Sequence, residues 1–228
     1  MWLWNFIINF IHTILQVPVN ETIPEPKHIT KPIPKDKNPP ASARTTVQTI
    51  VIDPGHGGND PGTVYVDPST NSSIVEKHAA LAISLTLKYL LTKRGWKVYL
   101  TRTDDTRPAY SERTNLPGNV DADAFISIHF NMPHSYGLVY YAAEKDRPES
   151  KKLAKTIDSH MGFNKLWPST SSRFGRLYID NVRYDIPSVL VEVDSIENYQ
   201  NTKQYRLEKA QQIMDALVEY FGEKNANE

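Results

Sequence analysis

The 228-residue chain has no cysteine and no net formal charge, since 26 Lys and Arg face 26 Asp and Glu. Without cysteine there can be no disulfides, thiol nucleophiles, or Cys-ligated zinc or iron–sulfur centres. The compartment stays open. The balanced charge speaks against a nucleic-acid binder, which carries a basic excess or stripe. Phosphate-loop and dinucleotide fingerprints are missing too, because Gly55-His56-Gly57-Gly58 has neither the lysine nor the glycine spacing they need. Any metal must therefore be held by histidine and carboxylate. The length suffices for one domain with a sizeable core plus extra segments.

Charge is also missing locally. Residues 1–17 have no charged side chain, and Trp2, Leu3, Phe6, Ile7, Phe10, Ile11, Ile14 and Leu15 recur at helical spacing. A helix of that length spans about 25 Å, short of a bilayer core of about 30 Å. No basic residue precedes the run and no small-residue cleavage site follows it, so it does not read as a cleaved signal peptide. The expectation is a membrane-targeting helix, anchored or interfacial; the alternative is a helix docked on the catalytic domain. Lys27, Lys31, Lys35, Lys37 and Arg44 all follow it, which by the positive-inside rule would keep the rest in the cytoplasm. Residues 18–46 hold seven of the 16 prolines and few large apolar side chains, the composition of a semi-extended linker. The first 46 residues carry five basic and three acidic groups, a surplus of two that the rest of the chain offsets.

From Val47 to the end at Glu228 the pattern alternates. Val47–Asp53, Trp96–Thr101, Ala124–His129, Gly137–Ala142, Arg176–Ile179 and Ser188–Val193 read as extended. Glu76–Arg94, Pro148–Met161 and Tyr205–Phe221 read as helices, the first stopped by Gly95. This predicts one α/β domain, a three-layer sandwich with a mostly parallel central sheet flanked by helices.

Ligands of such sheets bind beyond the carboxyl ends of the strands. His56 follows the first strand, His129 the third and Glu192 the last, while Glu76 opens the first long helix near the same rim. Two histidines and a carboxylate make the ligand set of a catalytic zinc, leaving a second carboxylate as general base and acid. Each member also has a plainer reading. Glu76 suits a helix N-terminus, and Glu192 could pair with Arg102 or Arg113. His78 lies about 200° around the helix from Glu76 and cannot easily join it. No role is expected for His12, His28, His134 or His160.

The run Ile50-Val51-Ile52-Asp53-Pro54-Gly55-His56-Gly57-Gly58-Asn59-Asp60-Pro61-Gly62 resembles the opening motif of the zinc-dependent N-acetylmuramoyl-L-alanine amidases of the amidase-3 family. Glu76-Lys77, Thr101-Arg102-Thr103-Asp104-Asp105, Arg113, Ser127-Ile128-His129-Phe130-Asn131 and Pro187-Ser188-Val189-Leu190-Val191-Glu192 follow in the family's order, so the resemblance covers roughly residues 47–222. It implies Zn2+ held by His56, Glu76 and His129, with Glu192 as the catalytic carboxylate. The substrate would be peptidoglycan, cut between N-acetylmuramic acid and L-alanine. It further implies a monomeric catalytic domain in the cell envelope, outside the cytoplasm, either membrane-anchored or secreted. Asp53 and Asn131 are expected to orient ligands and loops, and Arg102 and Arg113 to serve structure rather than substrate carboxylates.

The sequence departs from the family at one position of the last motif. Where the family continues Glu-x-Gly-Phe, this chain has Glu192-Val193-Asp194-Ser195. On a regular strand Asp194 would share a face with Glu192 and perturb it. That motivates one alternative, a catalytically weakened peptidoglycan-binding relative; a zinc peptidase acting on the stem peptide is a further alternative among enzymes. Only six residues, Phe130–Ser135, separate His129 from Tyr136-Gly137, too few for the inhibitory helix that some bacterial members carry there. The site is therefore expected to be open.

Overall fold

Branched and aromatic apolar runs become the strands of a six-stranded sheet in the computed structural model, which describes residues 47–172 and 177–226. In chain order the elements are β1 (Thr49–Pro54), β2 (Val64–Val66), β3 (Ser73–Val75), α1 (Glu76–Lys93), β4 (Lys97–Leu100), α2 (Tyr110–Asn119), β5 (Ala124–Asn131), β6 (Leu138–Tyr141), α3 (Pro148–Met161), β7 (Leu166–Pro168), β8 (Ser188–Ser195) and α4 (Lys203–Ala226). Short 3-10 turns occupy Ser169–Ser171, Tyr178–Asn181 and Ile196–Asn198. The described residues belong to one compact unit, Thr45–Glu228.

The sheet order is β4-β1-β5-β8-β6-β7, with β2 and β3 forming a separate antiparallel pair. The first four strands are parallel, and β6 runs against β8 with β7 parallel to β6. Alternation along the strands sends side chains to two cores. Ile50, Ile52, Ile126, Ile128, Val189 and Val191 pack under α1, α3 and α4, whereas Val51, Phe125 and Leu190 face the smaller cluster beneath α2 and the turn at Tyr178–Asn181. Both faces are covered, so the central strands read as unbroken apolar runs.

The expected α/β sandwich is present, with three differences. Ile179 lies in a 3-10 turn rather than a strand, because the segment crosses over the sheet face instead of joining an edge. Helix α2 forms despite Pro117, whose ring falls late in a ten-residue helix that Glu112 begins by accepting the Ala109 N–H. Strands β2, β3 and β7 have three residues each, too short for a periodic signal. The apolar segment 1–17 and the linker 18–46 lie outside the described residues. Among the described residues no helix is long and apolar enough to cross a membrane.

Candidate metal centre

Three elements deliver three side chains to one point. His56 stands in the glycine-rich loop after β1, Glu76 in the first turn of α1, and His129 near the end of β5. His56 Nε2 lies 3.0 Å and His129 Nδ1 2.9 Å from the same oxygen, Oε1 of Glu76. The imidazole centroids are 4.8 Å apart. Among the described residues this is the one group of three or more histidine and carboxylate side chains whose ligand atoms converge in this way.

The loop geometry is imposed from below by two buried arginines. Arg102 donates to the carbonyls of Pro54, Gly55, Lys77 and Asp104. Arg113 pairs with Asp53 at 2.7 Å and donates to the carbonyls of Pro54 and His56. The last contact matters because His56 itself takes φ +59°, unfavourable for a side-chain-bearing residue, and its carbonyl must be held there. Lys77 closes the loop from the other side, reaching Gly58 O and Asp105, each at 2.7 Å. Both arginines thus serve structure, as expected.

Glu76 is buried, with 3% of its surface exposed. Its Oε2 accepts the Thr63 N–H at 2.7 Å and its Oε1 the Phe130 N–H at 3.1 Å. Burial alone would raise its carboxyl pKa, but the bonds from His129 and His56 hold it well below the usual carboxylate range. For His56, burial works toward a lower value, and the bonds and charges of Glu76 and Asp60 outweigh it and raise the pKa. Both results express one fact. Three lone-pair atoms converge at hydrogen-bonding distance and need a cation or a shared proton between them. The donor set, two imidazole nitrogens and one carboxylate, fits zinc. Outer contacts fix the rings, since His56 Nδ1 meets Asp60 Oδ1 at 3.1 Å and His129 Nε2 meets the Tyr178 hydroxyl at 3.3 Å.

Glu192 belongs to the same rim. It is the register partner of His129 across the parallel β5–β8 pair and shares its sheet face. Past this point the two strands lose step. Asn131 pairs with Ser195, so two residues of β5 face three of β8. This bulge turns Asp194 away. Its carboxylate accepts from Ser195 N–H, Asn198 Nδ2 and the Tyr205 hydroxyl, and lies 3.9 Å from Lys209 Nζ. The expectation that Asp194 shares a face with Glu192 is therefore wrong, because one extra residue reverses the alternation.

Asp53 and Asn131 behave differently from one another. Asp53 reaches His129 only through Tyr178, while Asn131 holds the following loop by donating to Tyr136 O and accepting from Met132 N–H. That loop carries no helix between β5 and β6 and is pinned by Ser195 Oγ on Met132 O and by Glu197 on the His134 N–H. His160 pairs with Glu219 far from the centre, and His12 and His28 lie outside the described residues. Two contributing residues were not singled out from sequence. Asp60 carried a signal, lying four positions beyond His56 inside the glycine loop. Tyr178 carried none.

Comparison with known proteins agrees with this geometry. The model of the N-acetylmuramoyl-L-alanine amidase family matches residues 50–219. A probable cell wall amidase LytH of Staphylococcus epidermidis is 36% identical over 182 residues, 76% of this chain and 58% of the relative. The N-acetylmuramoyl-L-alanine amidase LytC of Bacillus subtilis is 30% identical over 184 residues, 76% of this chain and 36% of that protein. The chain thus spans well under two thirds of the length of these relatives. A crystal structure of N-acetylmuramoyl-L-alanine amidase from Clostridium difficile 630 superposes with a TM-score of 0.66 at 26% identity, covering 77% of this chain and 97% of that one. Family model, relatives and site geometry converge, and the chain belongs to the N-acetylmuramoyl-L-alanine amidase family.

Proposed function

We propose that this chain is a zinc-dependent hydrolase of peptidoglycan that cleaves the amide between the lactyl group of N-acetylmuramic acid and L-alanine. The observation that carries the proposal is the convergence of His56 and His129 on Glu76 Oε1, with Glu192 in register beside His129. His56, Glu76 and His129 would hold the ion. When bound, zinc supplies Lewis acidity, lowering the pKa of water from roughly 16 to about 7 and polarising the scissile carbonyl. Glu192 accepts the proton of the attacking water and passes it to the leaving L-alanine nitrogen, so that a C–O bond to the lactyl carbonyl forms, the amide C–N bond breaks, and amide plus water become a lactyl carboxylate and a free amine. Asp60 keeps the His56 ring turned toward Glu76.

The names of the relatives support action at the cell wall. In this reading residues 1–17 target the protein to the membrane, residues 18–46 act as a linker, and residues 47–228 form the monomeric catalytic domain. Fractionation of cells, with protease accessibility, tests that placement.

The reaction is tested with the full-length protein on purified peptidoglycan, using mass spectrometry of the new ends. New L-alanine amino termini beside intact muramic lactyl groups, lost on chelation and restored by zinc, are the expected result. Ends inside the stem peptide would instead identify a peptidase, and pelleting with walls without release a binding protein. The observation that favoured binding alone has gone, since Asp194 is engaged with α4 and the Ile196–Asn198 turn rather than with Glu192.

A further inference from the structure

One partly buried polar group near the centre has no part in the reaction above. The Tyr178 hydroxyl lies 2.5 Å from Asp53 Oδ2, 2.6 Å from Ser127 Oγ and 3.3 Å from His129 Nε2. Its ring stacks on Tyr110, with centroids 5.2 Å apart. The 3-10 turn that carries it is tied down at its far end. Asp180 accepts the Ala143 N–H and the Ser169 hydroxyl, and Arg147 donates to the carbonyls of Asp180 and Val182.

The protons of this cluster can be assigned. A carboxylate only accepts. Asp53 Oδ1 takes the Thr101 hydroxyl and the Arg113 Nη1–H. Asp53 Oδ2, at 2.5 Å, takes the Tyr178 proton. Ser127 Oγ lies 2.9 Å from the same Asp53 oxygen and shares its single hydrogen between Asp53 and Tyr178, so the Tyr178 oxygen, its own proton committed, has only lone pairs to present to His129 Nε2. The hydrogen on His129 must then sit on Nε2. That leaves Nδ1, which faces Glu76 Oε1 and the ion position, as the nitrogen whose lone pair is offered when the ion is bound.

We propose that Tyr178 is a positioning residue for His129: its hydroxyl donates a hydrogen bond to Asp53, accepts the Nε2–H, and so fixes the imidazole tautomer that offers Nδ1 to the metal. The inference rests on the metal-site reading above. It also gives Asp53 a purpose beyond its ion pair with Arg113, since the carboxylate sets the direction of the whole chain of hydrogen bonds.

The test compares the full-length wild type with Tyr178→Phe, which keeps the ring and its stacking but removes the acceptor. Zinc affinity is measured by competition with a chromophoric chelator, and the His129 tautomer by long-range nitrogen–proton NMR of the zinc-loaded protein. The wild type should bind one zinc with the hydrogen on Nε2. Tyr178→Phe should bind zinc about ten- to a hundredfold more weakly, while the metal-free variant melts like the metal-free wild type. A wild type with zinc bound but His129 protonated on Nδ1 would overturn the inference whether or not the variant folds. Equal zinc affinity and an unchanged tautomer in Tyr178→Phe would also overturn it, and so would weaker binding matched by an equal loss of metal-free stability. A wild type that takes up no zinc would defeat the metal reading itself, and Tyr178's role with it.

Discussion

His129 and Glu192 stand opposite each other as register partners on the parallel strands β5 and β8, at the end where the sheet opens to solvent. In the proposed reaction one would hold the metal through a ring nitrogen and the other would be the catalytic carboxylate. The consequence is a division of labour that mutation can separate. Glu192→Gln should lower the rate of amide cleavage by about 10²–10⁴-fold, the usual contribution of a general acid–base, and leave bound zinc at wild-type stoichiometry. Assay of released amino groups alongside metal analysis checks both halves. Loss of zinc together with activity would make Glu192 a ligand instead.

The buried pair Arg113–Asp53 is 3% and 0% exposed at its side chains. Arg113→Ala leaves the Asp53 charge buried and frees the carbonyls of Pro54 and His56. A cost of about 3–5 kcal/mol is expected, the range for breaking one side of a buried ion pair. Urea unfolding of the metal-free protein measures it.

The pH dependence of the metal-free protein follows from His56 and Glu76. His56 has a pKa raised above its ordinary 6.5, so its contribution to stability is complete below about pH 6.5 and fades as pH rises through the folded value. Glu76 is depressed below its ordinary 4.5, so its contribution is complete above that value and is lost as pH falls through the folded one. Metal-free protein should therefore melt higher at pH 6 than at pH 8. Zinc should reverse the order, because the ion replaces the proton that His56 carries at the lower pH. Melting curves at the two pH values, with and without zinc, decide this.

Gly62 takes φ +65°, and a Cβ there would lie 2.6 Å from both Glu76 Oε2 and His56 Cδ2. Gly62→Ala should push two ligands apart. Zinc affinity is expected to fall by at least tenfold, the scale of a displaced ligand support, and equilibrium dialysis would read it.

Much of this arrangement was legible in the chain. The branched run Ile50–Ile52, the apolar stripe Ala79–Leu91 and the run Val189–Val191 announce buried strands and a packed helix because burial demands those side chains at those spacings. His56, Glu76, His129 and Glu192 stood out as polar residues at the edges of such runs. What stayed hidden depends on pairing across the chain. Pro117 and a polar surface disguised α2, whose helical character comes from its position over the sheet. Tyr178 lies in a short turn, and its hydroxyl becomes important only because the fold carries it 125 positions along the sequence to Asp53. The fate of Asp194 was equally unreadable, since a bulge exists only between two strands and leaves no periodic trace in one.

That bulge also separates two histories. Up to Glu192, the even-numbered residues of β8 share one face, from Leu190 in the smaller core to Glu192 at the rim. After Val193 that face shifts from even to odd, and Asp194 answers to α4 and to the turn at Ile196–Asn198. An aspartate at 194 thus anchors the last helix from a position turned away from the proposed catalytic carboxylate. Deleting Val193 would remove the extra residue and set Asp194 one step after Glu192, on the opposite face, so either spacing keeps the aspartate off the catalytic side.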